Sequence, residues 1–173
     1  LQSVGRDLTN AGRRITGFFD QASEAFYELA TATTYAAMAM ETPIRLQDDL
    51  EEKLQQAAIN MKAQGVTAVA LAEATRLWAA ATGEVIDSES ELDGIITRVS
   101  QIQRLAVLNR TQLTETTKLV GSVLSEFRMA NSQIVEVTEA LNYAAARSRA
   151  ELSDLADAFT NIGPTAADLG VSL

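Results

Sequence analysis

From Val4 to Ala39 the apolar residues return in steps of four and three: Val4, Leu8, Ala11, Ile15, Phe18, Ala22, Ala25, Leu29, Ala32, Ala36 and Ala39. A repeat averaging about 3.5 residues is the seam of a left-handed coiled coil. At about 1.5 Å per residue the helix it predicts is roughly 50 Å long. A helix of that length cannot cover its own stripe and needs a partner helix, in the same chain or in another. The row from Leu8 to Ala36 is therefore a candidate oligomer seam. Phe19, Phe26, Tyr27, Tyr35 and Met40 widen the apolar surface beyond two strands. That breadth suits a bundle of three or more helices, either between chains or within one, and the pattern leaves both open.

Downstream the pattern shortens. Thr42-Pro43 is a boundary, with Thr42 as a cap and Pro43 as a first helical residue. A helix follows from Pro43 to Ala63 and ends at Gly65. Another covers Val66 to Ala81 and is closed by Gly83, with Trp78 in its core. Ser88 and Glu91 form a capping box. A second 3.5-residue series then runs through Leu92, Ile95, Val99, Ile102 and Ala106 and continues in phase through Leu113, Thr116, Val120, Val123 and Phe127. Asn109-Arg110-Thr111 either breaks it, with Thr111 as the new cap, or buries Asn109 in a continuous seam; the polar triplet favours the break.

Asn131 or Ser132 opens the next helix, which carries Ile134, Val137 and Leu141. Ser148 and Glu151 read as a second capping box before Leu152, Leu155, Ala156 and Phe159. Gly163 stops that helix, Pro164 starts a last short turn, and Gly170 ends it. No strand-like alternation is visible. The expectation is an all-α chain in three parts. Residues 1–41 form a long helix with a coiled-coil-like, oligomeric seam. Residues 42–104 are a helical connection, and residues 105–173 a compact multi-helix head.

Composition narrows the chemistry. Hydrophobic residues make up 47% of the 173, but aromatics only 5%, so much of the apolar content is alanine. The net charge of −9 argues against gripping nucleic acid, which needs Lys and Arg against phosphates. There is no cysteine for a thiolate site and no histidine, the commonest general base. No phosphate-binding glycine loop, zinc motif or calcium loop occurs. Asp48, Asp49, Glu51 and Glu52 make one acidic cluster, read as a solvated face rather than a metal site. Arg13-Arg14 is too small for a nucleic-acid footprint. No catalytic, cofactor-binding or metal-binding residue is expected. No signal peptide is visible, and the sequence is expected to be a piece of a longer polypeptide. Ala25 to Met40 is apolar with one charge, Glu28, yet too short to span a bilayer alone.

The C-terminal part carries a further pattern. Leu124 and Phe127 close one helix, and Ala144 to Ala146 close the next. Ser148, then Asp154-Leu155, Gly163-Pro164, Ala166 or Ala167, and Leu169-Gly170-Val171-Ser172 follow in order. That order, over about Leu105 to Leu173, resembles the core region of phage tail tape measure proteins. Val4 to Leu8 and Ala11 to Thr16 resemble their N-terminal segments more loosely.

The resemblance implies a structural virion protein that sets tail length and occupies the tail tube lumen or tail tip. It implies release ahead of the DNA and help in forming a passage through the host envelope. It also implies a homo-oligomer, often a trimer, with tail tube and tail tip proteins as partners and the host membrane at ejection. Assembly would take place in the host cytoplasm, with no specific nucleic-acid binding and no cofactor. The alternative function is a secreted or translocated, membrane-active helical protein acting through the segment from Ala25 to Met40.

Overall fold

A computed structural model of the chain describes residues 2–148 and 150–170; within them the side chains of residues 2–13 and of Ile15, Phe18, Phe19 and Ala156 are left aside. The described residues form seven α-helices and no strand: α1 (Gln2–Ala39), α2 (Gln47–Asn60), α3 (Ala68–Thr82), α4 (Glu89–Asn109), α5 (Leu113–Glu126), α6 (Ile134–Arg147) and α7 (Leu152–Asp168). Short 3-10 turns at Ile44–Leu46, Lys62–Gln64 and Asn131–Gln133 join them.

α3 sits at the centre, packed against α1, α2, α4 and α5. Its only fully exposed residue is Ala80. Leu71, Ala72, Ala74, Thr75, Trp78 and Ala79 are all buried. A helix surrounded on several sides needs small side chains, because neighbouring backbones must approach from more than one direction. The sequence AVALAEATRLWAAAT meets that need. Where α5 crosses α3, a Cβ on Gly121 would lie 2.6 Å from the Ala81 Cβ, so only glycine fits. Buried threonines stay in the core by turning inward on their own helices. Thr75, Thr117 and Thr138 donate to the carbonyls of Leu71, Leu113 and Ile134 at 2.8, 2.8 and 2.9 Å.

Helix ends follow local chemistry. Thr67 caps α3, its hydroxyl accepting from the Ala70 amide at 3.1 Å, and Gly83 ends it at φ 65°. The Ser88 box is formed: the Glu91 carboxylate accepts from the Ser88 amide at 3.1 Å and the Asp87 amide at 2.9 Å. Those two amides and the Ser88 hydroxyl hold Glu91 below the ordinary carboxylate range. The stability this cap contributes is thus fully present above the ordinary carboxylate range and is lost as pH falls below it, through the depressed value of Glu91.

Several expectations are corrected. Thr42 makes no cap; its buried hydroxyl has no hydrogen-bond partner among the described residues. The chain does break after Asn109, but Gln112 rather than Thr111 precedes α5, and the Thr111 hydroxyl bonds that of Thr116 at 2.8 Å. The second box lies later than Ser148, with Asp154 Oδ2 accepting from the Glu151 amide at 3.1 Å. Gly163 and Pro164 do not form a turn: α7 runs through both. Gly163 is buried because α7 rests on the end of α5, where a Cβ would lie 2.8 Å from the Glu126 Cβ. Pro164, which is exposed, gives up its own bond to the Thr160 carbonyl. Gly170, at φ 71°, follows the end of the helix. One cluster of buried residues extends from Ala36 to Leu152 and includes facing residues of α3 and α5.

The loop after α3 is tied by a polar hub. Glu84 accepts from Trp78 Nε1 at 2.6 Å and from Asn131 Nδ2 at 3.2 Å, and pairs with the Arg98 guanidinium. Its side chain is 13% exposed and that of Arg98 20%. Gly94, one turn before Arg98 on α4, leaves room for that guanidinium, since a Cβ there would sit 3.3 Å from its nitrogens.

Two stability measurements test this packing. Gly121→Val should cost about 2 kcal/mol in urea unfolding, through overpacking at the α3–α5 crossing. Glu84→Gln, which leaves the Arg98 charge without its carboxylate, should cost about 3 kcal/mol. Near-wild-type midpoints would refute the close crossing or the hub respectively.

Candidate functional site

The surface least explained by the fold lies on α1. From Leu29 onward one stripe of this helix is buried: Leu29, Thr33, Ala36, Ala37 and Met40 face the core, and α3 is the main helix packed there. Toward the start of the helix the same periodicity continues in the sequence. Every described residue from Asp20 to Glu28 is exposed, including Ala22, Ala25 and Phe26, which extend the buried stripe. Phe26 is 61% exposed and Tyr27 72%.

The expected seam therefore divides. Leu29 and Ala36 are buried within the chain and Ala32 half-buried. Ala22 and Ala25 are exposed, while the side chains of Leu8, Ala11, Ile15 and Phe18 lie outside the described residues. The C-terminal third of the seam is filled by this chain's own α3, so the periodicity there reports an intrachain contact.

Beside the exposed stripe, α1 and α3 form an open groove of about 750 Å³, lined by Glu24, Tyr27, Glu28, Tyr35, Val69 and Glu73 among others. Its walls are apolar and acidic. Glu73 is held below the ordinary carboxylate range by its hydrogen bond with Arg76, at 2.6 Å. Glu24 and Glu28 add two more carboxylates to its wall.

Other surfaces offer less. A cleft of about 510 Å³ between α5 and α7 is lined by Glu115, Lys118, Ser122, Leu152, Asp157 and Thr160, with no nucleophile–base pair among them. The acidic cluster Asp48, Asp49, Glu51 and Glu52 lies at the surface of α2, and among the described residues no group of three or more His, Cys, Asp or Glu is placed to hold a metal ion. No helix of the described residues is long and apolar enough to cross a membrane. The Glu84 hub was not anticipated from sequence; the only prior sign was an acidic residue next to the Gly83 helix stop.

The family model described as phage-related minor tail protein matches residues 62–173, more than half of the chain. No curated protein and no solved structure matches.

The contrast along α1 is directly measurable. In dilute solution Leu29→Ala should lower stability by about 2–3 kcal/mol by opening the core. Phe26→Ser should change it by less than about 0.5 kcal/mol. A large loss from Phe26→Ser in monomeric protein would mean that the stripe folds back on its own chain.

Proposed function

The chain belongs to the phage-related minor tail protein family, and from that premise we propose that it acts as a segment of a tail tape measure. Membership makes it a structural component of the virion tail, in contact with other tail proteins. The finer reading is that it lies in the tail lumen or at the tail tip and takes part in setting tail length. On this reading it leaves ahead of the DNA and helps to open a path through the host envelope. It carries out no catalysis and needs no cofactor.

The observation that carries the proposal is the family match over residues 62–173, joined to the order of motifs between Leu105 and Leu173. Physics supports it from two sides. α1 is 38 residues long, so it extends about 57 Å, and a helix turns residue number into distance at a fixed rate. The net charge of −9 repels the phosphates of DNA passing through the same tube. The stripe of α1 exposed at Ala22, Ala25 and Phe26 is read as a self-association surface, through which a few copies are held together.

Gradient-purified virions should contain the tryptic peptide Leu54–Lys62 at a few copies per particle, far below the tube protein, by quantitative mass spectrometry. Absence from intact particles, with the protein in lysate or host membrane instead, would sink the proposal and favour the membrane-active alternative.

A further inference from the structure

We propose that the polar pocket at the start of α5 is a docking site for an aspartate-bearing peptide segment, whose carboxylate caps α5 and whose backbone meets the buried amide of Gln103. The site stands on the fold and does not depend on the tail role put forward above.

The pocket lies where the turn before α3, the later part of α4 and the connection from α4 to α5 meet, and has a volume of about 360 Å³. Gln64, Gln103, Gln112 and Thr114 bring amides and a hydroxyl to it, and Val66 and Ala70 an apolar side. None of its lining residues carries a charge. All of them fall within residues 62–173, the stretch that matches the family.

Two independent features point to a ligand. The first is the end of α5, a helix of 14 residues. Gln112 is its N-cap, but the side chain makes no capping bond, and Gln112, Leu113 and Thr114 all line the pocket. The first amides of a helix point out of its start and carry partial positive charge, so they favour an anionic oxygen. Thr111 is not that acceptor, since its hydroxyl is bonded to that of Thr116 at 2.8 Å. The charges nearby in the chain agree. From Arg104 to Lys118 three cations, Arg104, Arg110 and Lys118, stand against one carboxylate, Glu115, in a protein of net charge −9.

The second feature is Gln103. It is only 5% exposed, yet it forms part of the pocket wall, and its Oε1 has no hydrogen-bond partner among the described residues. A buried carbonyl without a donor is destabilising, and such atoms are rare in folded proteins. A bare anion has no N–H and cannot serve it. A peptide unit can, because its N–H and C=O suit a carboxamide in either orientation. An aspartate residue joins the two requirements, with a backbone N–H and a carboxylate on one residue. Aspartate is among the best N-caps, and here it is supplied from another chain.

The test follows the amide NMR signals of Leu113 and Thr114 in the full chain. The probes are acetyl-Ala-Asp-Ala-amide, the same peptide with alanine at its centre, and sodium acetate. The aspartate peptide should shift both signals saturably and bind at least about fivefold more tightly than either of the others. Gln103→Leu should remove that advantage and leave acetate binding unchanged. Gln112→Asp gives α5 a cap of its own, so it should raise the urea midpoint and abolish peptide binding. Equal affinity for acetate and the aspartate peptide would reduce the site to a helix end that takes any anion, and would overturn the peptide site. Peptide binding that survives Gln112→Asp, or the absence of any shift up to about 10 mM peptide, would overturn it as well. Should Gln103→Leu fail to fold, the comparison with acetate and the Gln112→Asp protein decide the matter alone.

Discussion

The fold depends on how closely other helices can approach α3. Its neighbours α1, α2, α4 and α5 share it, so its surface has almost no solvent-facing side on which to place bulk. Alanine and glycine solve the problem at each contact: Ala72, Ala74 and Ala79 on α3, Ala36 and Ala37 on α1, and Gly121 on α5 against Ala81. Close approach replaces large side chains as the means of filling the core. This explains a composition that is 47% hydrophobic yet only 5% aromatic. The one tryptophan, Trp78, is completely buried near the end of the central helix, and its indole N–H is satisfied by Glu84.

α1 has to serve two surroundings with one stripe. Its last third is packed against the chain's own body, and its middle is exposed with the same spacing. Periodicity near 3.5 residues states only that a helix has an apolar face, not whose helix will cover it. A single pattern can therefore run without a break from an intrachain contact into a free surface. The alanines that let α1 lie close to α3 are of the same kind as those left exposed at Ala22 and Ala25, so the helix is suited to close packing along both stretches.

How far the sequence could be read follows from how local each signal is. The all-α class, the stops at Gly65 and Gly83, the Ser88 box and the break after Asn109 depend on residues within one turn of each other, and they were legible. Three other helix ends turn without a glycine. Glu41, Arg110 and Arg128 take left-handed conformations at φ 52°, 55° and 54°. In each case the next amide reaches back to close the end: Thr42 to Ala37, Thr111 to Ala106 and Met129 to Leu124, at 2.9, 2.9 and 2.8 Å. Such a conformation costs a side-chain-bearing residue about 1–2 kcal/mol and persists because the surrounding packing demands the turn. Gly163 misled in the opposite sense. Its local chemistry is that of a stop, but its role is set by Glu126 and Phe127, nearly forty positions earlier in the chain. The Glu84 hub was equally out of reach, since it joins residues from α3, α4 and the turn before α6.

The same distinction between local and distant contacts bears on the proposed role. A structure measures length only where its residues advance along one axis. α1 does so, at about 1.5 Å per residue. The remaining helices fold back on one another around α3, so residues added there thicken the body instead of extending it. Arm and body therefore suit different tasks. An extended arm spans distance, and a compact body can mark an end or hold a neighbour. The continuous core from Ala36 to Leu152 couples the two. Any partner that grips the exposed half of α1 pulls on a helix whose other end is part of that core, and its force reaches α3 before any other element.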